Sequence, residues 1–298
     1  AVVLSRVEAE PEAAVAVAWI GAACAAIAGY LFAPEGQLDG RPIAVSAAAE
    51  RPTARDAVLH PARVLPAPRT PTIGRLADLE AALGALSSGH RLITVTGPAG
   101  VGTSRLLAEI GTALRPSEPD IYHVELEPHA ELTADALALV VGSMSGLPMD
   151  GGDPVRQLAE SLAHEHAVIL VDEAEWALAG AAEIARALLD RCPGIRLVIT
   201  SRTPLGILGE RLVVLDSLTV PAAGASLDEV CSASAVQLLA SRLADRGTER
   251  AADLVAWPEQ DLQTLAEVAR RLDGLPLALE LAAGRSPDGD LDRLLDLV

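Results

Sequence analysis

The 298-residue chain carries 23 basic and 41 acidic residues, a net charge of −18, and contains neither lysine nor asparagine. So acidic a chain excludes nucleic-acid binding on its own, because a phosphate backbone demands a basic face. Half of the residues are hydrophobic and 2% aromatic, which predicts about two domains with aliphatic, alanine-rich cores. Cys24, Cys192 and Cys231 are odd in number, far apart and outside any C-x-x-C pattern. They read as reduced thiols of a cytoplasmic protein, neither disulfides nor zinc ligands. The chain begins at Ala1 without methionine and reads as a fragment or a processed form.

Residues 1–12 are short and acidic. Residues 13–33 form an uncharged, alanine-rich run between Glu12 and Glu35. Its length suits a transmembrane helix, and Arg41, Arg51 and Arg55 beyond it would place the C-terminal side in the cytoplasm. The alternative is a buried alanine-rich helix, so membrane anchorage through residues 13–33 stays open. Residues 34–72 are rich in Pro, Ala and Arg and read as a linker with little regular structure.

From Ile73 the pattern becomes regular. Leu76, Leu79, Leu83 and Leu86 recur at helical spacing. Strands are predicted at Leu92–Val95, Ile121–Leu126, Ala167–Val171 and Ile195–Thr200. Helices are predicted after Gly102, over Leu132–Val141, over Val155–His164 behind Asp153-Pro154, and over Trp176–Arg191. Alternating strands and helices predict an α/β fold with a doubly wound parallel sheet over residues 73–220. Beyond Pro221 only helices are predicted, over Ala233–Ala244, Asp261–Leu272 and Pro276–Ala283. They make residues 221–298 a small helical domain.

The strand at Leu92–Val95 runs into a glycine-rich turn and then a helix. Gly97, Gly102 and Ser104 satisfy the spacing G-x-x-x-x-G-x-[ST] of a P-loop NTPase. Gly100, Val101, Gly102, Thr103, Ser104 and Arg105 complete the candidate cradle, in which backbone N–H groups and a helix N-terminus take phosphates. Thr103 stands where such a loop holds lysine. Asp172-Glu173 ends a buried strand, the place from which an aspartate holds Mg²⁺ beside the Ser104 hydroxyl; Glu173 could activate a water. Arg202 ends the next strand and could reach a γ-phosphate, or could sit in a surface ion pair. His164 and His166 flank Glu165 without a third ligand, and no metal site is expected there. His123 and His129 are expected at the surface or at an edge.

Together these motifs resemble the bacterial STAND ATPases, signal-transducing P-loop ATPases related to NB-ARC and AAA+ proteins and found in LuxR-type transcriptional regulators. Leu188–Glu210 is similar to the family's third-motif region, Arg271–Ala283 to its helical-lid motif, and Ile73-Gly74-Arg75 to its V-G-R motif. The resemblance covers residues 70–298 and ends just after the lid. It implies ATP or ADP between core and lid, with the backbone of Ile73–Arg75 near adenine, Pro276 against the base or ribose, Asp172 and Ser104 on Mg²⁺, and Arg202 sensing the γ-phosphate. It also implies protein partners or self-association.

Thr103 departs from the family pattern. Losing one hydrogen bond from a charged group costs about 1.5–3 kcal/mol, roughly ten- to a hundredfold in affinity, and more in turnover where that charge serves the transition state. Three expectations follow. The first is a weakly binding signalling module with slow or no hydrolysis. The second is a nucleotide-independent scaffold. The third is an active ATPase that uses Arg105 or Arg202 in place of lysine.

Overall fold

The computed structural model describes residues 68–298, apart from 119, 127–132, 145, 146, 148, 150, 245–253, 287–289 and 297. The alanine-rich run 13–33 lies outside the described residues. Among the described residues no helix is long and apolar enough to cross a membrane.

The expected doubly wound parallel sheet is present. Its strands are β1 (Leu92–Thr96), β2 (Ile121–Glu125), β3 (Ala167–Asp172), β4 (Ile195–Ser201) and β5 (Glu210–Val214), all parallel in the order β2-β3-β4-β1-β5. Strands β1 and β3 are buried along their whole length, which is why both read as unbroken apolar runs. Strand β5 was not expected. It is an edge strand in which only Val213 is buried, so it lacks the apolar run of a covered strand.

Helices cover both faces. Helices α1 (Leu76–Ser87) and α2 (Thr103–Leu114) lie on one; α3 (Ala134–Met144), α4 (Pro154–Leu162) and α5 (Leu178–Arg191) lie on the other. Strand alternation divides the core accordingly. Val168 and Leu170 of β3 pack with Leu107 and Ile110 of α2, while Ile169 and Val171 pack with Leu137, Leu158 and Leu188. Helix α4 begins as its sequence predicts, with Pro154 in the first turn and the Asp153 carboxylate accepting from the Arg156 amide at 3.0 Å. Helix α5 begins later than its periodicity predicts, because Ala174–Ala177 form a 3₁₀ turn first. His123 lies on the edge strand β2, as expected of an edge residue, but is buried.

The second layer is helical: α6 (Leu227–Ser232), α7 (Ser234–Ala244), α8 (Glu259–Arg271), α9 (Pro276–Arg285) and α10 (Leu291–Asp296). Leu239, Leu265, Val268, Leu279 and Ala283 are fully buried in its own core. Helix α6 escaped the sequence reading, although Ser226 and Glu229 form a full capping box at its start.

Gly274 ties this lid to the strand side. Its carbonyl accepts from the Leu218 amide at 2.9 Å. Its φ is +63°, and a Cβ there would lie 2.2 Å from the Leu218 carbonyl oxygen. Gly274→Ala is therefore expected to lower unfolding free energy by about 2–3 kcal/mol, measured by denaturant titration.

Candidate functional site

The loop after β1 is shaped by close contacts. A Cβ at Gly97 would lie 2.7 Å from Val101 Cγ1 and 2.9 Å from the Leu215 carbonyl oxygen, so Val101 plugs the loop from beneath. The Val101 amide donates to the Pro98 carbonyl at 3.1 Å, and its carbonyl accepts from Arg75 Nη2 at 2.8 Å. Val101, placed by sequence in the phosphate cradle, thus uses both backbone groups inside the protein. Gly100 and Gly102 have φ of +82° and +103°, conformations that glycine adopts readily. Gly102 precedes α2 without any side-chain cap. The first-turn N–H groups of Thr103, Ser104 and Arg105, with the positive end of the helix dipole, are thereby left for an anion.

Strand β4 lies between β1 and β3, so the ends of all three converge. Asp172 closes β3 and is 7% exposed. Its Oδ1 accepts from Ser104 Oγ at 3.0 Å, from the Glu173 amide at 3.1 Å, and from Thr200 Oγ1 on β4. A hydroxyl beside a carboxylate is the hard-oxygen pair that Mg²⁺ takes while keeping several waters, so these residues fit the ion.

Glu173 has a left-handed backbone, φ 59° and ψ 41°, which is uncommon for a residue other than glycine. Its carboxylate accepts from Trp176 Nε1 at 3.2 Å. Burial pushes the Glu173 carboxyl above its ordinary value; the indole donor opposes this, and Asp172, Glu175 and Glu125 add to the rise. Arg202 Nε pairs with Glu175 Oε1 at 3.0 Å, and its guanidinium lies 5.8 Å from the Trp176 ring centroid, within cation–π range. Trp176 therefore touches both the candidate base and the candidate phosphate sensor.

The other two sequence-derived arginines are engaged by protein atoms. Arg75 is 8% exposed and donates from Nη2 to the carbonyls of Val101 and Asp216, both at 2.8 Å. It braces the loop from the cleft wall. Arg105 binds Thr70 and Thr72. These residues were expected in an irregular linker; they have no regular structure, yet they lie along α2.

The lid closes the cleft. Pro276 opens α9, and the Leu277 amide donates to the Gly100 carbonyl at 3.1 Å. Arg242 on α7 donates from Nε to Glu280 on α9 at 2.9 Å, and both line the cleft. The cleft encloses about 340 Å³ between loop, strand ends, residues 71–75 and lid, within the range of small-ligand sites. Sequence reasoning gathered Arg75, Gly97, Gly100, Val101, Gly102, Thr103, Ser104, Arg105, Asp172, Glu173, Arg202 and Pro276, and all of these but Asp172 line the cleft wall; Asp172 sits just behind Ser104. It missed Thr72, Glu175, Trp176, Arg242 and Glu280. Glu175 and Trp176 follow Asp172-Glu173 directly, and that closeness was the available signal.

A sequence profile described as an AAA domain matches residues 86–205. A Mycobacterium tuberculosis (strain H37Rv) protein named as an HTH-type transcriptional regulator is 30% identical over 202 residues, 67% of this chain and 21% of the relative. An uncharacterised protein of the same strain is 30% identical over 218 residues, 73% of this chain and 51% of the relative. The chain thus spans about a fifth of one relative's length and half of the other's. Among solved structures, the Walker-type ATPase of Pyrococcus abyssi is similar with 17% identity and a TM-score of 0.49, over 78% of this chain and 73% of that one. A STAND protein with a tetratricopeptide repeat sensor from Pyrococcus horikoshii is similar with 18% identity and a TM-score of 0.42, over 72% of this chain and 30% of that one. The fold is that of a P-loop, AAA-type ATPase.

The raised pKa of Glu173 has a definite sign. The folded chain holds a proton that the unfolded chain releases above its ordinary value of 4.5. The stability this contributes is complete below that value and is lost as pH rises through the folded pKa. Glu173→Gln keeps an acceptor for Trp176 and removes the charge. It is expected to stabilise the fold at pH 7 and to bring no such gain at about pH 4, read by denaturant unfolding at both values.

Proposed function

We propose that this chain is an ATP/ADP-binding regulatory module of the STAND type that binds nucleotide weakly and hydrolyses it slowly or not at all. One observation carries the reading. An uncapped helix start converges with Ser104 and Asp172, while Thr103 stands where the lysine belongs. Three of the cleft's four arginines do not make up the difference, since Arg75, Arg105 and Arg242 are held by protein acceptors.

Each residue then has a defined task. The amides at Thr103, Ser104 and Arg105 hold the phosphates, and the Ser104 hydroxyl and Asp172 carboxylate hold Mg²⁺. That ion, when bound, neutralises phosphate charge. Arg202 meets the terminal phosphate by exchanging Glu175 for it. Glu173 accepts from Trp176 on one carboxylate oxygen and orients a water with the other. Turnover, in which that charge would stabilise the transition state, thus loses more than binding does from the missing lysine. The Leu277–Gly100 contact joins loop and lid, so a phosphate on the loop biases the lid between two arrangements. Protein partners or self-association would read that difference. A regulatory output accords with the mycobacterial relative named as a transcriptional regulator, and DNA contact would belong to another chain or segment.

Titration with fluorescent ATP, with and without Mg²⁺, tests the reading. Saturable binding that tightens with Mg²⁺ is expected. Absence of saturable binding up to millimolar nucleotide would leave a nucleotide-independent scaffold. Thr103→Lys is expected to tighten binding roughly ten- to a hundredfold; an unchanged affinity in the same titration counts against the loop as the phosphate site.

A further inference from the structure

We infer that the Arg105 side chain positions the base of the bound nucleotide, pinning residues 70–73 as one wall of a base slot, and that its guanidinium is not a ligand of the phosphates, which meet only its backbone amide. The inference rests on the nucleotide reading above and assigns the half of the cleft that the P-loop does not.

The cleft has two chemically distinct halves. Loop, Glu173 and Thr200 make the polar half. Ile73, Leu218 and Leu238, which share the lid's hydrophobic core, make the apolar half with Pro71 and Pro276. A planar heteroaromatic ring is driven to the apolar half while its phosphates stay at the helix start. One side of that half is the strap Thr70–Ile73, which lies in no helix or strand. Its placement depends on side chains. Arg105 donates from Nε to Thr72 Oγ1 at 2.8 Å, from Nη1 to Thr70 Oγ1 at 3.3 Å, and from Nη2 to the Thr70 carbonyl. Thr72 Oγ1 donates in turn to Glu109 Oε1, which lies 3.6 Å from Arg105 Nε. One rigid guanidinium fork on α2 thus holds two strap residues at once, a task that a flexible ammonium does not perform. Arg105 follows Ser104 directly, so its sequence position points to the phosphates; its side chain serves the strap.

Inorganic pyrophosphate and ADP, both with Mg²⁺, separate the two roles, because pyrophosphate has no base. Pyrophosphate binding is followed by ³¹P NMR and ADP binding by calorimetry, on wild type, Arg105→Ala and Thr72→Val. Arg105→Ala is expected to weaken ADP about tenfold or more and pyrophosphate by less than about twofold. Thr72→Val, which removes only the hydroxyl at the end of the fork, is expected to weaken ADP in the same selective way by a smaller factor, and it carries the test if Arg105→Ala melts earlier than wild type. Equal weakening of ADP and pyrophosphate makes Arg105 a phosphate ligand and overturns the inference while leaving the nucleotide reading intact. Unchanged ADP affinity in both variants overturns it as well. A wild-type chain that binds neither probe removes the nucleotide reading and this inference together.

Discussion

One carboxylate oxygen, Oδ1 of Asp172, accepts hydrogen bonds from Ser104 on α2, Thr200 on β4 and the Glu173 amide. Residues 68 and 28 positions away in sequence meet at this atom. They meet because the sheet is parallel and β4 lies between β1 and β3. The register sets Thr96 beside Ser201 and Val171 beside Ile199, so the three strand ends stop at one level. A ligand site at the carboxyl ends of such strands follows from that geometry. The contact also keeps a buried acid supplied with donors, as a charge in a dry interior requires.

The positive charges around the cleft share a second constraint. Each belongs to arginine, and each fork is matched to fixed protein acceptors: carbonyls for Arg75, the strap for Arg105, carboxylates for Arg202 and Arg242. A planar donor set is effective at bracing irregular backbone, and Arg75 and Arg105 do so on two sides of the loop. The same rigidity makes them poor substitutes for a lysine that must follow a phosphate. The site therefore has good walls and a weakened electrostatic centre.

Much of this was legible in the sequence. The loop, Asp172 at the end of an unbroken apolar strand and the lid helices all carry local signals: glycine spacing, full burial, 3.6-residue periodicity. What escaped is decided at long range. Strand β5 is recognised only by its pairing with β1, since a half-exposed edge strand has little apolar signature. The strap reads as linker because nothing in Thr70-Pro71-Thr72 announces an arginine 33 to 35 residues away in sequence. Arg105 was assigned to the nucleotide from its neighbours in the chain, yet a side chain's partners depend on where its helix face points. Trp176 shows the opposite case, since it stood four residues from Asp172 and its indole donor gave it a role beside Glu173.

The crowding around Gly97 and Gly100 bears on how such loops lose their chemistry. A side chain at Gly97 would strike Val101 and Leu215, and one at Gly100 would meet Leu277 Cβ at 2.9 Å. Both glycines are therefore required by packing whether or not a phosphate ever arrives. Position 103 opens α2 on the cleft wall and answers only to the ligand. Under mutation without selection for turnover, the glycine spelling would outlast the lysine, because a side chain at either glycine crowds the loop's own packing whereas residue 103 borders the open cleft. In this architecture the glycines report the shape of the loop, and residue 103 reports its charge.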